Sequence, residues 1–172
     1  ICDGTTIEDC AGVCGGDSTS DNCGVCDGNG TSCLPNILSL GVVTDSSLEI
    51  LYSSSSDIGG FQFGLSGVTV TSASGGAAEA AGFTISAGSA AILGVSFSGD
   101  TIPQGSGVLT NLVIDYSLAG DACLSDIIIS DDNASALDFS TGDCVALPCN
   151  ADCAGICDGT TIEDCAGVCG GD

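Results

Sequence analysis

The chain contains no lysine, arginine, histidine, methionine or tryptophan among its 172 residues. Without a cationic side chain nothing can neutralise phosphate, so nucleic acid is excluded as a partner. A serine or cysteine nucleophile would lack the histidine or lysine that ordinarily serves as its base. A paired-carboxylate hydrolase gains no support, because acids are too abundant for any one pair to stand out. The chain is therefore read as a non-enzyme with no catalytic residue. No apolar run reaches the length of a membrane span, and no signal peptide is visible. Aromatics are sparse, with five Phe and two Tyr, so a core must rely on small and β-branched side chains around them.

Negative charge is what the chain has in excess. Nineteen Asp and four Glu give a formal charge of -23. With no internal cation to pair them, their self-repulsion has to be screened by salt or neutralised by bound metal. Acidic disorder does not fit, because 44% of the residues are hydrophobic and fall in alternating runs.

Residues 1–17 read ICDGTTIEDCAGVCGGD, and residues 156–172 repeat them letter for letter at an offset of 155. Self-similarity at a fixed spacing predicts one full period of a tandem array and the start of the next. The alternatives are two copies of a short linker, or an arbitrary starting point on a continuous strand. The repeat also resolves the odd count of 13 cysteines. Cys157, Cys165 and Cys169 are later copies of Cys2, Cys10 and Cys14. One period then holds Cys10, Cys14, Cys23, Cys26, Cys33, Cys123, Cys144, Cys149, Cys153 and Cys157. An even number per period suits a fully oxidised, extracellular or cell-surface array. Zinc at the CxxC of Cys23 and Cys26 is the competing account; the CxxxC spacings elsewhere and the lack of histidine fit it poorly.

Composition divides the chain into three. Residues 1–35 form an acidic, cysteine-rich connector, 36–147 a β-sandwich, and 148–172 the start of the next connector. The connector has few large apolar residues, so covalent staples must hold it. Each bond closing a loop of about 15 residues contributes about 3 kcal/mol on the chain-entropy estimate. From Ile37 to Val145, period-two patterns predict strands over 37–43, 48–52, 60–65, 68–72, 82–86, 90–97, 108–116, 125–129 and 137–139, with a short one near Val145. Phe61, Phe63 and Leu65 share one face, and Leu93, Val95 and Phe97 repeat that core-facing pattern. Residues 77–81 suit either one helical turn or an alanine-rich connection. The fold class expected is all-β: a two-layer sandwich plus a Gly/Asp connector with little regular structure. Cys123 and Cys144 are expected to pair with each other; the alternative is that each pairs with the connector.

Two resemblances follow from particular strings. DNCGVCDGNGTSC, residues 21–33, resembles the CGVCGGD-type cysteine repeats of modular extracellular proteins, including ADAMTS-like proteases and microbial surface proteins. The resemblance implies a secreted, disulfide-bonded module. DIGGFQFGL at 57–65 and IPQGSGVLTNLVIDY at 102–116 are similar to cohesin-like and carbohydrate-binding-module-like jelly rolls.

Calcium is the cofactor expected, because it takes six to eight oxygens and tolerates irregular loops. The connector offers Asp3, Glu8, Asp9, Asp17, Asp21, Asp27 and Asn29, and its second part Asp152, Asp158, Glu163, Asp164 and Asp172. In the sandwich Asp131, Asp132 and Asn133, near Asp126, form the densest oxygen cluster; Asp57, Asp100, Asp115 and Asp121 are scattered. None of these strings has EF-hand spacing. The competing accounts are a turn or cap role for each Asp and a salt-adapted acidic surface for the whole set. Asn29 and Asn133 open N-glycosylation acceptor patterns. The expected function is a structural repeat unit of an extracellular fibre, filament or stalk, with neighbouring copies of itself as partners in a tandem or helical array. The alternative is an adhesin or carbohydrate-binding module on a repetitive surface protein, whose partners would be glycans or other surface proteins.

Overall fold

The computed structural model describes residues 2, 6–88, 91–116, 120–148, 152–156, 159–164 and 166–170. Two packed sheets and one short helix account for its regular structure. In chain order the elements are β1 (Ile37–Val43), β2 (Ser47–Ser54), β3 (Gly60–Ser66), β4 (Thr69–Ser74), α1 (Gly76–Ala80), β5 (Thr84–Ala87) and β6 (Ile92–Val95). They continue with β7 (Gly105–Asp115), β8 (Asp121–Ser130), β9 (Ala136–Leu137), β10 (Ser140–Thr141) and β11 (Val145–Ala146). One sheet runs β10-β1-β2-β7-β4; the other runs β11-β8-β3-β6-β5, with β9 paired to β8. The expected all-β sandwich is what forms, and of the two options for residues 77–81 the helical turn is taken, as α1 with Ala81 its C-cap.

Alternation builds the core. Strand β2 buries every second residue, Leu48, Ile50, Tyr52 and Ser54, so its other face is free to be polar. Leu38, Phe63, Leu109 and Leu112 complete the interior between the sheets, each fully buried. Strand β7 breaks strict alternation for a visible reason. Its pairing with β2 shifts between Ile50 and Leu51, which face Thr110 and Val108, so Leu109 is an extra residue in a bulge. The buried Thr110 hydroxyl donates to the Ser74 carbonyl at 3.2 Å. Among the described residues no buried side-chain polar atom lacks a partner.

Strand β6 requires a correction. Its interior face is Ile92 and Gly94, while Leu93 and Phe97 lie 41% and 86% exposed. The cause is the ring of Phe61, which sits directly over Gly94, its register partner on β3. A Cβ at Gly94 would overlap that ring. Phe61 therefore fills the interior volume that Leu93 and Val95 were expected to occupy. Its ring also stacks on Phe63 and Phe83, with centroids 6.1 and 6.0 Å away. Cys123 on β8 bonds Cys144, tying the last strands together as expected.

Candidate functional site

The connector is built from one local motif used repeatedly. Asp9, Asp21, Asp152 and Asp164 each open a string of the form D-x-x-G-x-C-x-G, and the members of each pair, Asp9/Asp21 and Asp152/Asp164, stand 12 residues apart. In every unit the aspartate Oδ1 accepts two backbone N–H groups. Ala11 and Val13 donate to Asp9 at 3.0 and 2.7 Å, and Cys23 and Val25 to Asp21 at 2.9 and 2.8 Å. Ala154 and Ile156 donate to Asp152, and Ala166 and Val168 to Asp164, at 2.8 to 3.0 Å. The second carboxylate oxygen reaches forward: Gly30 N–H donates to Asp21 at 2.8 Å and Thr161 N–H to Asp152 at 3.1 Å.

The chain turns inside each unit at a left-handed residue, Gly12 at φ 78° and Gly24 at φ 80°. That turn brings the second cysteine back beside the residue preceding the aspartate, in the antiparallel bridges Glu8–Cys14, Ser20–Cys26 and Glu163–Cys169. The last glycine of the motif packs against the carboxylate: a Cβ at Gly16, Gly28 or Gly159 would overlap Asp9, Asp21 or Asp152. Each unit is thus a hairpin knotted on its own aspartate. Disulfides Cys2–Cys14, Cys10–Cys26, Cys23–Cys33 and Cys153–Cys169 hold these hairpins.

Donated hydrogen bonds favour the charged form of two of these acids. Asp21 is held below its ordinary value, chiefly by the Val25 N–H, against a smaller opposing desolvation and with further help from the Gly30, Cys23 and Gly24 amides. Asp152 is lowered in the same way, first by the Ile156 N–H, against desolvation, then by Thr161 through its backbone and side chain and by the Ala154 amide.

The structure distributes the calcium candidates accordingly. Asp9, Asp21, Asp152 and Asp164 are turn organisers whose inner oxygen is engaged by backbone amides. Asp27 accepts the Thr19 N–H at 3.1 Å, and Asn29 accepts both the N–H and the hydroxyl of Thr31. Asp17 is exposed, and Glu8 and Glu163 lie in the bridges just described. In the sandwich Asp126 is the left-handed residue (φ 49°) where the β3–β8 register shifts. Asp131 accepts the N–H groups of Asn133 and Ser135 at 2.9 and 2.8 Å, while Asp132 accepts the Asn133 side-chain amide. Among the described residues the clusters with three potential ligands are Cys2/Glu8/Cys14 and Cys10/Cys26/Asp27. Both are built on disulfide sulfurs, which are not thiolate ligands. No three carboxylates converge among those residues. Asp3, Asp158, Asp172, Cys149, Cys157 and Cys165 lie outside the described residues.

Sequence reasoning missed the hairpin itself and its recurrence in the sandwich. Residues 131–135 form the same loop, with Asp131 N–H donating to the Ser135 carbonyl and Ala134 at φ 60° in the place of the glycine. The invariant D-x-x-G-x-C-x-G spacing was the available signal for the connector units. Asp131 shares only its aspartate with that string.

No protein-family model and no curated protein matches the chain. Solved cohesin structures are similar to it. A non-cellulosomal cohesin from the archaeon Archaeoglobus fulgidus is 15% identical over 67% of this chain and 91% of its own, with a TM-score of 0.48. The sixth cohesin of Acetivibrio cellulolyticus scaffoldin B, solved with a dockerin, is 16% identical over 66% and 99%, also at 0.48. A type I cohesin–dockerin complex from Clostridium thermocellum gives 14% identity over 63% and 88%, at 0.45.

Proposed function

We propose that the chain is one period of an extracellular structural array in which β-sandwiches alternate with disulfide-stapled connectors. The observation that carries the reading is the recurrence of one aspartate-knotted hairpin, at 12-residue spacing, on both sides of the sandwich. A flexible linker needs no such unit. A chain of hairpins, stapled to one another by disulfides, resists extension and gives each sandwich a fixed neighbour. The absence of lysine and arginine leaves trypsin-like proteases nothing to cleave, which suits exposed load-bearing material. Calcium serves here as the counter-ion of the polyanion, using backbone carbonyls and exposed carboxylates such as Asp17 that do not organise a turn.

A second reading, display of an adhesin or glycan-binding module, is favoured by one feature of the β11-β8-β3-β6-β5 sheet. Leu93 and Ile128 flank Gln62 in register, and both are substantially exposed. The two readings separate on the native protein viewed by electron microscopy. The structural array yields filaments with one axial repeat for each 155-residue period, with the Leu93/Ile128 face covered by a neighbour. Discrete short particles would end it. For calcium, chelation should lower the melting transition and restored calcium should raise it; an unchanged transition removes the ion from the proposal.

A further inference from the structure

Cys14 and Cys169 occupy the same place in two identical copies of 17 residues, yet they are bonded differently. Cys14 is joined to Cys2, whereas Cys169 is joined to Cys153. Cys2 corresponds to Cys157, the second cysteine of the unit opened by Asp152, and Cys153 is that unit's first. The copies therefore disagree over which cysteine of the preceding unit holds the next one. A third bond decides between them. Cys10, the first cysteine of the Asp9 unit, bonds Cys26, the second cysteine of the Asp21 unit, across 16 residues. Cys153–Cys169 repeats that arrangement across the same 16 residues, while Cys2–Cys14 spans 12. On the period of 155, the counterpart of Cys153 falls three positions ahead of Ile1.

We propose that consecutive periods are joined by one disulfide ladder, in which the cysteine directly after a unit's aspartate bonds the second cysteine of the following unit. Cys14 then takes the preceding period's counterpart of Cys153, not Cys2. The proposal rests on the tandem reading above and gives its covalent register. The receiving cysteines share one setting, each beside the residue before the aspartate in the bridges to Glu8, Ser20 and Glu163. The ladder ends by its own sequence. In the Asp21 unit the first cysteine, Cys23, stands two places after the aspartate and bonds Cys33, 10 residues on, instead of reaching a further unit. With Cys123–Cys144 inside the sandwich, arithmetic alone leaves Cys149 and Cys157 for one another, and every cysteine of a period is used. Each bond forms as two thiols give two protons and two electrons to a disulfide-bearing oxidant, which is reduced to its dithiol.

Disulfide mapping of the native protein tests this. It is digested unreduced with pepsin at acid pH, where thiolate is scarce and exchange is suppressed, and fragment ions assign each bond within residues 152–157. The expected result is that GVCGGD peptides carry the Cys153-type partner in at least tenfold excess over the Cys2/Cys157 type. A reduced control should contain peptides running from Ala151 through the next period's counterpart of Ser18. If those continuous peptides are present but the Cys2/Cys157 type predominates, the ladder is overturned and the array stands. Equal amounts of the two linkages, with no continuous peptide, overturn the array and the ladder with it.

Discussion

Phe63 and Leu48 are wholly buried in the sandwich, whereas Ile7, Val13 and Ile162 of the connector stand 85%, 55% and 76% exposed. Among the described residues, none before Leu38 and none after Leu147 is buried. The two regions are thus ordered by different forces. In the sandwich, removal of apolar surface from water does the work, and a single disulfide adds to it. In the connector there is no interior to form, and order comes from sulfur bridges and from aspartates that bind the backbone around them. A difference of this kind makes the regions separable by chemistry: a reductant should attack one, and a core truncation the other.

Full reduction is expected to have the largest effect. Amide-exchange protection across residues 6–33 should vanish, while strands β2, β3 and β7 remain protected; simultaneous loss in both regions would show that the sandwich depends on the connector. Phe63→Ala tests the reverse case. It should cost the sandwich about 3–5 kcal/mol through lost burial and a residual cavity, read by denaturant unfolding, with the connector disulfide map unchanged. Replacing Cys123 and Cys144 together by alanine should cost about 3 kcal/mol for a loop of this size. Gly94→Leu should cost about 1–3 kcal/mol by forcing the Phe61 ring from its seat, and Phe61→Ala in the same chain should recover part of it; no recovery would place the clash elsewhere.

Acid gives the smallest and sharpest test. The lowered pKa of Asp21 and Asp152 means that their contribution is complete above the ordinary value near 3.8 and is lost as pH falls through the lower folded values. Exchange at the Val25 and Ile156 amides should therefore accelerate below about pH 4, before the sandwich responds. Asp21→Asn should abolish that pH dependence at Val25 alone.

The strands were legible because each presents period-two patterning to a single core: β1 matches its expected span, and β2, β3 and β7 differ only at their ends. Strand β6 was misphased because alternation shows which residues share a face, not which face is inside. Gly94, the residue that fixes the phase, has no side chain to advertise it. The bulge at Leu109 and the left-handed Asp126 were hidden for a related reason, since both depend on the register of a partner strand. In the connector, acid density points to metal ligands but does not reveal that amides two and four residues along the chain engage Asp9, Asp21, Asp152 and Asp164, because composition carries no record of the backbone turn that delivers them.

That turn bears on how a chain with 23 acids and no basic residue holds still. An amide hydrogen carries a partial positive charge, and two or three of them aimed at one carboxylate form a small electropositive cup. By folding Asp9, Asp21, Asp131, Asp152 and Asp164 into such cups, the molecule draws its missing cations from the peptide bonds themselves. A surface lysine loses much of its hold on a carboxylate as salt rises. The main chain is fixed in place, and at these five positions the same hold should persist in brine.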